Sequence, residues 1–273
     1  MLSYVEEIFS FYLFIIENNL AIAVLIINNI SMLPISFFII ALLYATVGFG
    51  GGSSYLALLT VSDVPFFLIP KLALICNLLV VSGGCYHYFQ NKHFNIPLML
   101  PFILSSVPMA FFGGMYAISE NTFQGLLAGC LILAGIRLLF MPKSSIEVTN
   151  NPKWPISLGI GGVLGALSGV VGIGGGIFLA PLMLNLKWGK PKEVASTATA
   201  FIWLNSLAGL VGQSTKGISP EILNYWPLFL AVIAGGQIGS FFGSHPKISQ
   251  SSIQRFTAIL ILCISVRLLM KLF

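Results

Sequence analysis

The sequence predicts an all-α polytopic membrane protein built of two homologous repeats of about four transmembrane helices. The first helix of each repeat is expected to be broken or re-entrant at a Gly-rich run. Three observations predict this. Of 273 residues, 57% are hydrophobic and only 8% are charged, with a mean hydropathy of +0.96, whereas a soluble domain carries about 25% charged residues. Apolar stretches of spanning length recur without the period-two alternation of a barrel strand, so helices must satisfy the backbone inside the bilayer. Finally, Gly48-Phe49-Gly50-Gly51-Gly52 returns as Gly172-Ile173-Gly174-Gly175-Gly176, a shift of 124 positions.

Residues 1–33 form an N-terminal apolar segment outside the repeat, interrupted by Glu17-Asn18-Asn19. Glu6 and Glu7 stand where a cleavable signal peptide would carry a basic region. Repeat 1 occupies residues 34–141, with segments at about 34–61, 66–89, 96–117 and 122–141. A polar linker covers 142–154, and repeat 2 covers 155–273, with segments at about 155–185, 193–212, 222–243 and 251–271. The first segment of each repeat is longer than the ~20 residues a spanning helix needs. Extra length around a flexible glycine run suggests a discontinuous helix or a re-entrant hairpin.

The duplication extends past the glycines. Asn77 aligns with Asn205, Pro97 with Pro227, Phe111-Phe112-Gly113 with Phe241-Phe242-Gly243, Gln124 with Gln254, and Arg137-Leu138-Leu139 with Arg267-Leu268-Leu269. An ordered series of this kind marks an internal repeat. With four spans per repeat the two halves point the same way; with a re-entrant turn in each, the count becomes odd and they invert. Loop lysines do not decide the orientation. In the four-span arrangement Lys187, Lys190, Lys192, Lys247 and Arg255 fall on one face, and Lys92, Lys143, Lys153, Lys216, Lys271 and the helix-end Arg137 and Arg267 on the other.

The candidate chemistry lies at the glycine runs. Glycine adopts positive φ at little cost, and a helix restarting after such a turn exposes unpaired N–H groups at the positive end of its dipole. Two such starts, expected at Ser53-Ser54-Tyr55 and Ile177-Phe178, would bind a small oxyanion without a charged side chain. The candidate substrate-binding residues are therefore Gly50, Gly51, Gly52 and Ser53 in the first run and Gly174, Gly175 and Gly176 in the second. Close packing of helices through small residues is the alternative reading of both runs.

Asn77 and Asn205 each sit in an apolar segment, where an amide needs partners. They are expected either to line the cavity or to bond across the repeats. Thr197 adds a hydroxyl on the approach to Asn205, with Ser196 and Thr199 nearby. Lys71, six residues before Asn77, could place a positive charge near an anion or snorkel to the interface. Gln237, in Gly235-Gly236-Gln237-Ile238-Gly239, is expected to face the bundle interior, with Ser105-Ser106 at the equivalent place. Asp63, Glu120, Glu193 and Glu221 all fall at loops or helix starts, so no carboxylate proton relay is visible.

Cys76, Cys85, Cys130 and Cys263 are scattered through apolar segments, and His87, His93 and His245 lack ligand spacing, so no metal or other cofactor is expected. The net charge of +5 fits lipid headgroups, and nucleic acid is not an expected partner. A membrane-embedded enzyme would have only Cys85, His87 and His93 to work with, and they have no acidic partner. A non-transporting sensor or assembly subunit would lack a signalling domain, because the linker is short. The expected partners are a small anionic substrate and the lipid bilayer. Protons as a coupling ion and assembly into a homo-oligomer are both compatible with this reading.

With these residues in place, the chain resembles the TauE/SafE sulfite exporter family. The resemblance lies in Gly48-Phe49-Gly50-Gly51-Gly52, in the stretch from Ser168 to Pro181 (SGVVGIGGGIFLAP), in Ala195-Ser196-Thr197-Ala198, and in Gly235-Gly236-Gln237-Ile238-Gly239-Ser240. It covers about residues 34–273 and is closer in the second half. In the first half, Leu56-Ala57-Leu58-Leu59 stands where Ala180-Pro181-Leu182-Met183 does, without the proline. The resemblance implies a multi-pass transporter of the inner cell membrane that moves small sulfur-containing anions such as sulfite, thiosulfate, sulfonates or sulfoacetate. Alternating access between the two repeats is the expected mechanism.

Overall fold

A computed structural model describes residues 32–62, 64–139, 152–217 and 219–244. The N-terminal segment, most of the linker, Asp63 and the eighth segment with Gln254 and Arg267 lie outside the described residues, as does the side chain of Arg137. Every regular element among the described residues is helical. In chain order these are α1 (Leu33–Thr46), α2 (Gly52–Val61), α3 (Ile69–Gln90), α4 (Ile96–Met115), α5 (Glu120–Leu139), α6 (Trp154–Val171), α7 (Gly176–Asn185), α8 (Pro191–Ser214) and α9 (Trp226–Ser244). Short 3-10 turns, Phe66–Leu68 and Pro220–Tyr225, lead into α3 and α9. Among the described residues, five helical stretches are long and apolar enough to cross a bilayer: Phe66–Gln90, Ile96–Met115, Trp154–Val171, Pro191–Ser214 and Pro220–Gly243.

Proline opens many of these helices. It stands in the first or second position of α1, α3, α4, α6 and α8, where its missing N–H has no intrahelical partner to lose. Asn95 caps α4 by accepting the Leu98 N–H at 3.2 Å. Large apolar side chains such as Phe89, Leu104, Phe112, Val163 and Leu230 point outward. Such a surface suits a hydrocarbon solvent.

Each long first segment is two helices rather than one. α1 stops at Thr46 and α2 starts at Gly52, while α6 stops at Val171 and α7 starts at Gly176. The chain doubles back at both places. Thr46 lies roughly 13 Å beyond Phe37 along α1 at 1.5 Å per residue. Yet Tyr55 of α2 stacks on Phe37 with ring centroids 4.6 Å apart, and Tyr44 Oη and Ser54 Oγ lie 2.6 Å apart. In the second half Gly175 returns to the carbonyl of Leu164, two turns before the end of α6.

Glycine contacts give the helix directions. Gly161, Gly165 and Gly169 of α6 rest on the backbone of Phe102, Ser106 and Ala110 of α4, so α4 and α6 run parallel. Gly235, Gly239 and Gly243 of α9 rest in the same ascending register on Phe38, Leu42 and Thr46, so α1 and α9 run parallel too. α9 also runs parallel to α3, pairing Gly236 with Val80 and Ser240 with Gly84. α3 and α8 are antiparallel, for Gly209 lies beside Leu74 and Thr199 beside Gly84. The principal packing pairs are α4 with α6 and α8, α9 with α1 and α3, and α3 with α8.

Candidate functional site

The two breaks meet around one side chain. Asn77, in mid-α3, is fully buried. Its Nδ2 donates to the Ile173 carbonyl in the second break at 3.2 Å. Its Oδ1 lies against Gly50 and its amide against Gly52, where a Cβ would collide with it. A Cβ on Gly174 would stand 2.9 Å from Asn77 Nδ2 and 3.2 Å from Ser206 Oγ. Asn77 therefore fills the space that side chains on either glycine run would need.

Backbone sterics explain the residue type at the turning points. Gly51 and Gly175 are the N-cap residues of α2 and α7, with φ of 83° and 78°. Gly48, Gly172 and Gly174 are also left-handed, with φ of 82°, 88° and 84°. From these turns the half-helices start at Gly52 and Gly176, one residue earlier than the sequence reading places them. Helix geometry leaves the first N–H groups of α2 and α7 without intrahelical acceptors, and each N-terminus carries roughly half a positive charge.

Buried polar atoms collect on the same elements. Ser53 Oγ, Asn77 Oδ1, Thr197 Oγ1, Ser206 Oγ and both amide atoms of Asn205 have no hydrogen-bond partner. Each belongs to a residue that is buried. A buried polar atom left unpaired costs about 1–3 kcal/mol. A polar ligand at the breaks would supply partners to those within its reach.

The other expected residues divide. Thr199 bonds the Gly48 and Ala195 carbonyls at 3.0 and 2.7 Å. Ser196 bonds the His93 and Glu193 carbonyls at 2.8 and 2.9 Å. Both hydroxyls thus tie α8 to its surroundings. Gln237 does not face the interior as expected. It is exposed and lies over Gly83 of α3, because the inward positions of α9 belong to Gly235, Gly236 and Gly239.

Lys71 lies in the first turn of α3, well away from Asn77, and it does not snorkel. It is 4% exposed and its Nζ donates to the Gly217 carbonyl at 2.7 Å. It faces a cavity of ≈ 330 Å³ whose lining includes Pro70, Val170, Gln213, Lys216 and Ser219. Gln213 Nε2 donates to the Gly169 carbonyl at 3.0 Å. Lys216 donates to the Tyr116 carbonyl at 2.8 Å and to Gln213 Oε1 at 3.1 Å. Partial desolvation of its ammonium, and then the Lys71 charge, hold the Lys216 pKa below the usual lysine value.

The sequence reading missed Ile202, Ser206, Gln213 and the placement of Lys216. Ala198, Ile202 and Ser206 recur every four residues and form the face of α8 that meets Gly174 and Gly176; that spacing is the signal that could have found them. The two histidines among the described residues do not form a centre. The His87 ring meets Tyr86 and Phe241, the His93 ring meets Tyr88, and no group able to hold a metal occurs among the described residues.

Comparison with known proteins places these features in a family. The model of the family described as "Sulfite exporter TauE/SafE" matches residues 33–268. A protein of Sinorhizobium fredii named "Probable membrane transporter protein y4hK" is 32% identical over 87% of this chain and 97% of its own length. The "Probable membrane transporter protein YunE" of Bacillus subtilis is 24% identical over 82% of this chain and 91% of its own. A "Probable membrane transporter protein" of Haemophilus influenzae is also 24% identical, over 82% and 92%. No solved structure matches the chain.

Proposed function

This chain belongs to the sulfite exporter TauE/SafE family and is a multi-pass membrane transporter, and from that premise we propose that it carries a small sulfur-containing anion past its paired glycine breaks. The substrate class is that of sulfite, thiosulfate, sulfonate or sulfoacetate, and the membrane is the inner cell membrane. The observation that carries this reading is the burial of Asn77 between the two breaks, beside the starts of two half-helices. Bare N–H groups and two dipole ends favour an oxyanion without fixing a formal charge in the bilayer. The unpaired atoms of Ser53, Asn77 and Ser206 add donors and acceptors suited to an oxyanion and its hydrogen.

Alternating access follows from reading residues 34–141 and 155–273 as inverted repeats. Exchanging the halves turns α1 into α6, α3 into α8, and α4 into α9. The pair α4–α6 then maps onto α9–α1, and α4–α8 onto α9–α3, while α3–α8 maps onto itself. The antiparallel course of α3 and α8 supports inversion, because a repeat axis along the membrane normal would make them parallel. Rocking of one half against the other around Asn77 would expose the anion to each side in turn.

The test is uptake of radiolabelled sulfite by proteoliposomes holding the full chain. Saturable flux that drops at least about tenfold in Asn77→Leu, the scale of a lost hydrogen bond to a charged group, supports the reading. Binding without flux would instead favour a sensor, and full flux in Asn77→Leu would remove the breaks from the pathway.

A further inference from the structure

We propose that the cavity beneath Lys71 and Lys216 is a second anion-binding position, a capture site for a small oxyanion at the mouth beside the second break. The proposal rests on the transporter reading and adds a site to it. Three features carry it. The first is charge: two lysines line one cavity, and no carboxylate lines it among the described residues. The second is donor capacity. An ammonium has three N–H donors. Lys71 spends one on the Gly217 carbonyl, and Lys216 spends two on Tyr116 and Gln213. Protons remain on both for a ligand, and an anion would supply the counter-charge that a buried ammonium otherwise lacks.

The third feature is position. Pro70 and Val170 belong to the cavity lining, and Gly172 of the second break packs on Pro70, where a Cβ would stand 3.1 Å from its Cα. Gln213 links the cavity to the Gly169 carbonyl, one turn before that break. An anion held by the lysines thus sits against the wall of the break.

The opposite end of the α3–α8 pair is built differently. The antiparallel course puts the start of α8 near the end of α3. Lys192 there reaches the Gly243 carbonyl, and His93 feels Lys192 and Glu193 with opposite sign. A carboxylate stands beside the cation there, whereas the lining of the Lys71–Lys216 cavity carries none among the described residues. Steering by such a mouth depends on ionic strength.

The experiment compares Lys71→Met, Lys216→Met and the double variant with the unaltered chain, by radiolabelled sulfite flux and by sulfite-dependent thermal stabilisation. Each single variant is expected to raise the half-saturating sulfite concentration about tenfold, with the maximal rate little changed. The double variant should lose the salt dependence of the low-substrate rate. Lys216→Arg, which keeps the charge, should stay near the unaltered value. If Lys71→Met does not fold, Lys216→Met decides alone, since Lys216 is exposed. Unchanged half-saturation and salt dependence, alongside saturable flux of the unaltered chain, would overturn the capture site and leave the transporter reading intact. If the unaltered chain shows no flux, the transporter reading falls; stabilisation by sulfite that Lys216→Met abolishes would still uphold the site, and no stabilisation would overturn both.

Discussion

Asn77 on α3 donates its amide to the carbonyl of Ile173, a residue flanked by Gly172 and Gly174, both of positive φ. One side chain from the first half of the sequence thereby holds the backbone turn of the second. The same amide group blocks any side chain at Gly50 and Gly52. Left-handed backbone, close approach and a buried polar atom coincide at this point.

Asn205 gives the first prediction. Both of its amide atoms are buried and unpaired, so Asn205→Leu removes two costly groups while keeping similar bulk. The apo protein should melt at the same temperature or higher, since each unpaired group costs about 1–3 kcal/mol. Sulfite flux should nonetheless fall. Melting and flux assays on the same preparation check the split; equal losses of both would mark Asn205 as a packing residue.

Much of this was legible in the chain. The glycine runs and Asn77 stand out because they are polar or flexible where a membrane helix needs neither. Runs of apolar residues of spanning length made the helices readable from Pro34 to Ser244 among the described residues, with most boundaries within two or three residues. The cluster around the breaks was harder. Ile202 and Ser206 look like ordinary helix residues until α8 is laid against Gly174 and Gly176. Gln237 was misplaced because polarity in an apolar segment suggests an inward face, whereas the inward face of α9 is decided by how closely its glycines approach α1 and α3. Lys71 was read as a choice between the substrate site and the interface; contact with Gly217, 146 positions away, put it at a cavity instead.

The glycine stripes yield a structural prediction. A Cβ at Gly165 would collide with the Ser106 carbonyl, and one at Gly239 with the Leu42 carbonyl. Gly165→Leu and Gly239→Leu should each destabilise the fold by about 1–3 kcal/mol or more, the cost of overpacking. Melting temperature and detergent monodispersity are the readouts. Gly125 and Gly129 of α5 have nothing within 4 Å of a Cβ, so Gly129→Leu should leave both readouts nearly unchanged.

His93, in the turn between α3 and α4, gives a prediction in pH. Burial first, and the Lys192 charge second, hold its pKa below the ordinary value, against an opposing pull from Glu193. The folded state thus binds the proton less well than the unfolded chain, whose histidine titrates near about 6.5. Its contribution to stability is complete above that pH and is lost as pH falls from there through the folded pKa. The unaltered chain should lose more melting temperature across that window than His93→Gln; identical pH profiles would show that His93 titrates normally.

The last prediction concerns the breaks themselves. Gly51 and Gly175 adopt left-handed φ, where another residue stores about 1–3 kcal/mol of strain. Their surroundings differ little. A Cβ at Gly51 would stand 2.9 Å from the Tyr55 ring, and one at Gly175 2.8 Å from the Phe201 ring. Gly51→Val and Gly175→Val should therefore abolish flux while part of the protein still reaches the membrane. Gly175→Ala, combined with Phe201→Leu to relieve the ring contact, separates the two causes. If strain at φ matters most, the double variant stays inactive; if the ring contact matters most, flux returns. Normal flux in both valine variants would show that transport does not need these turns.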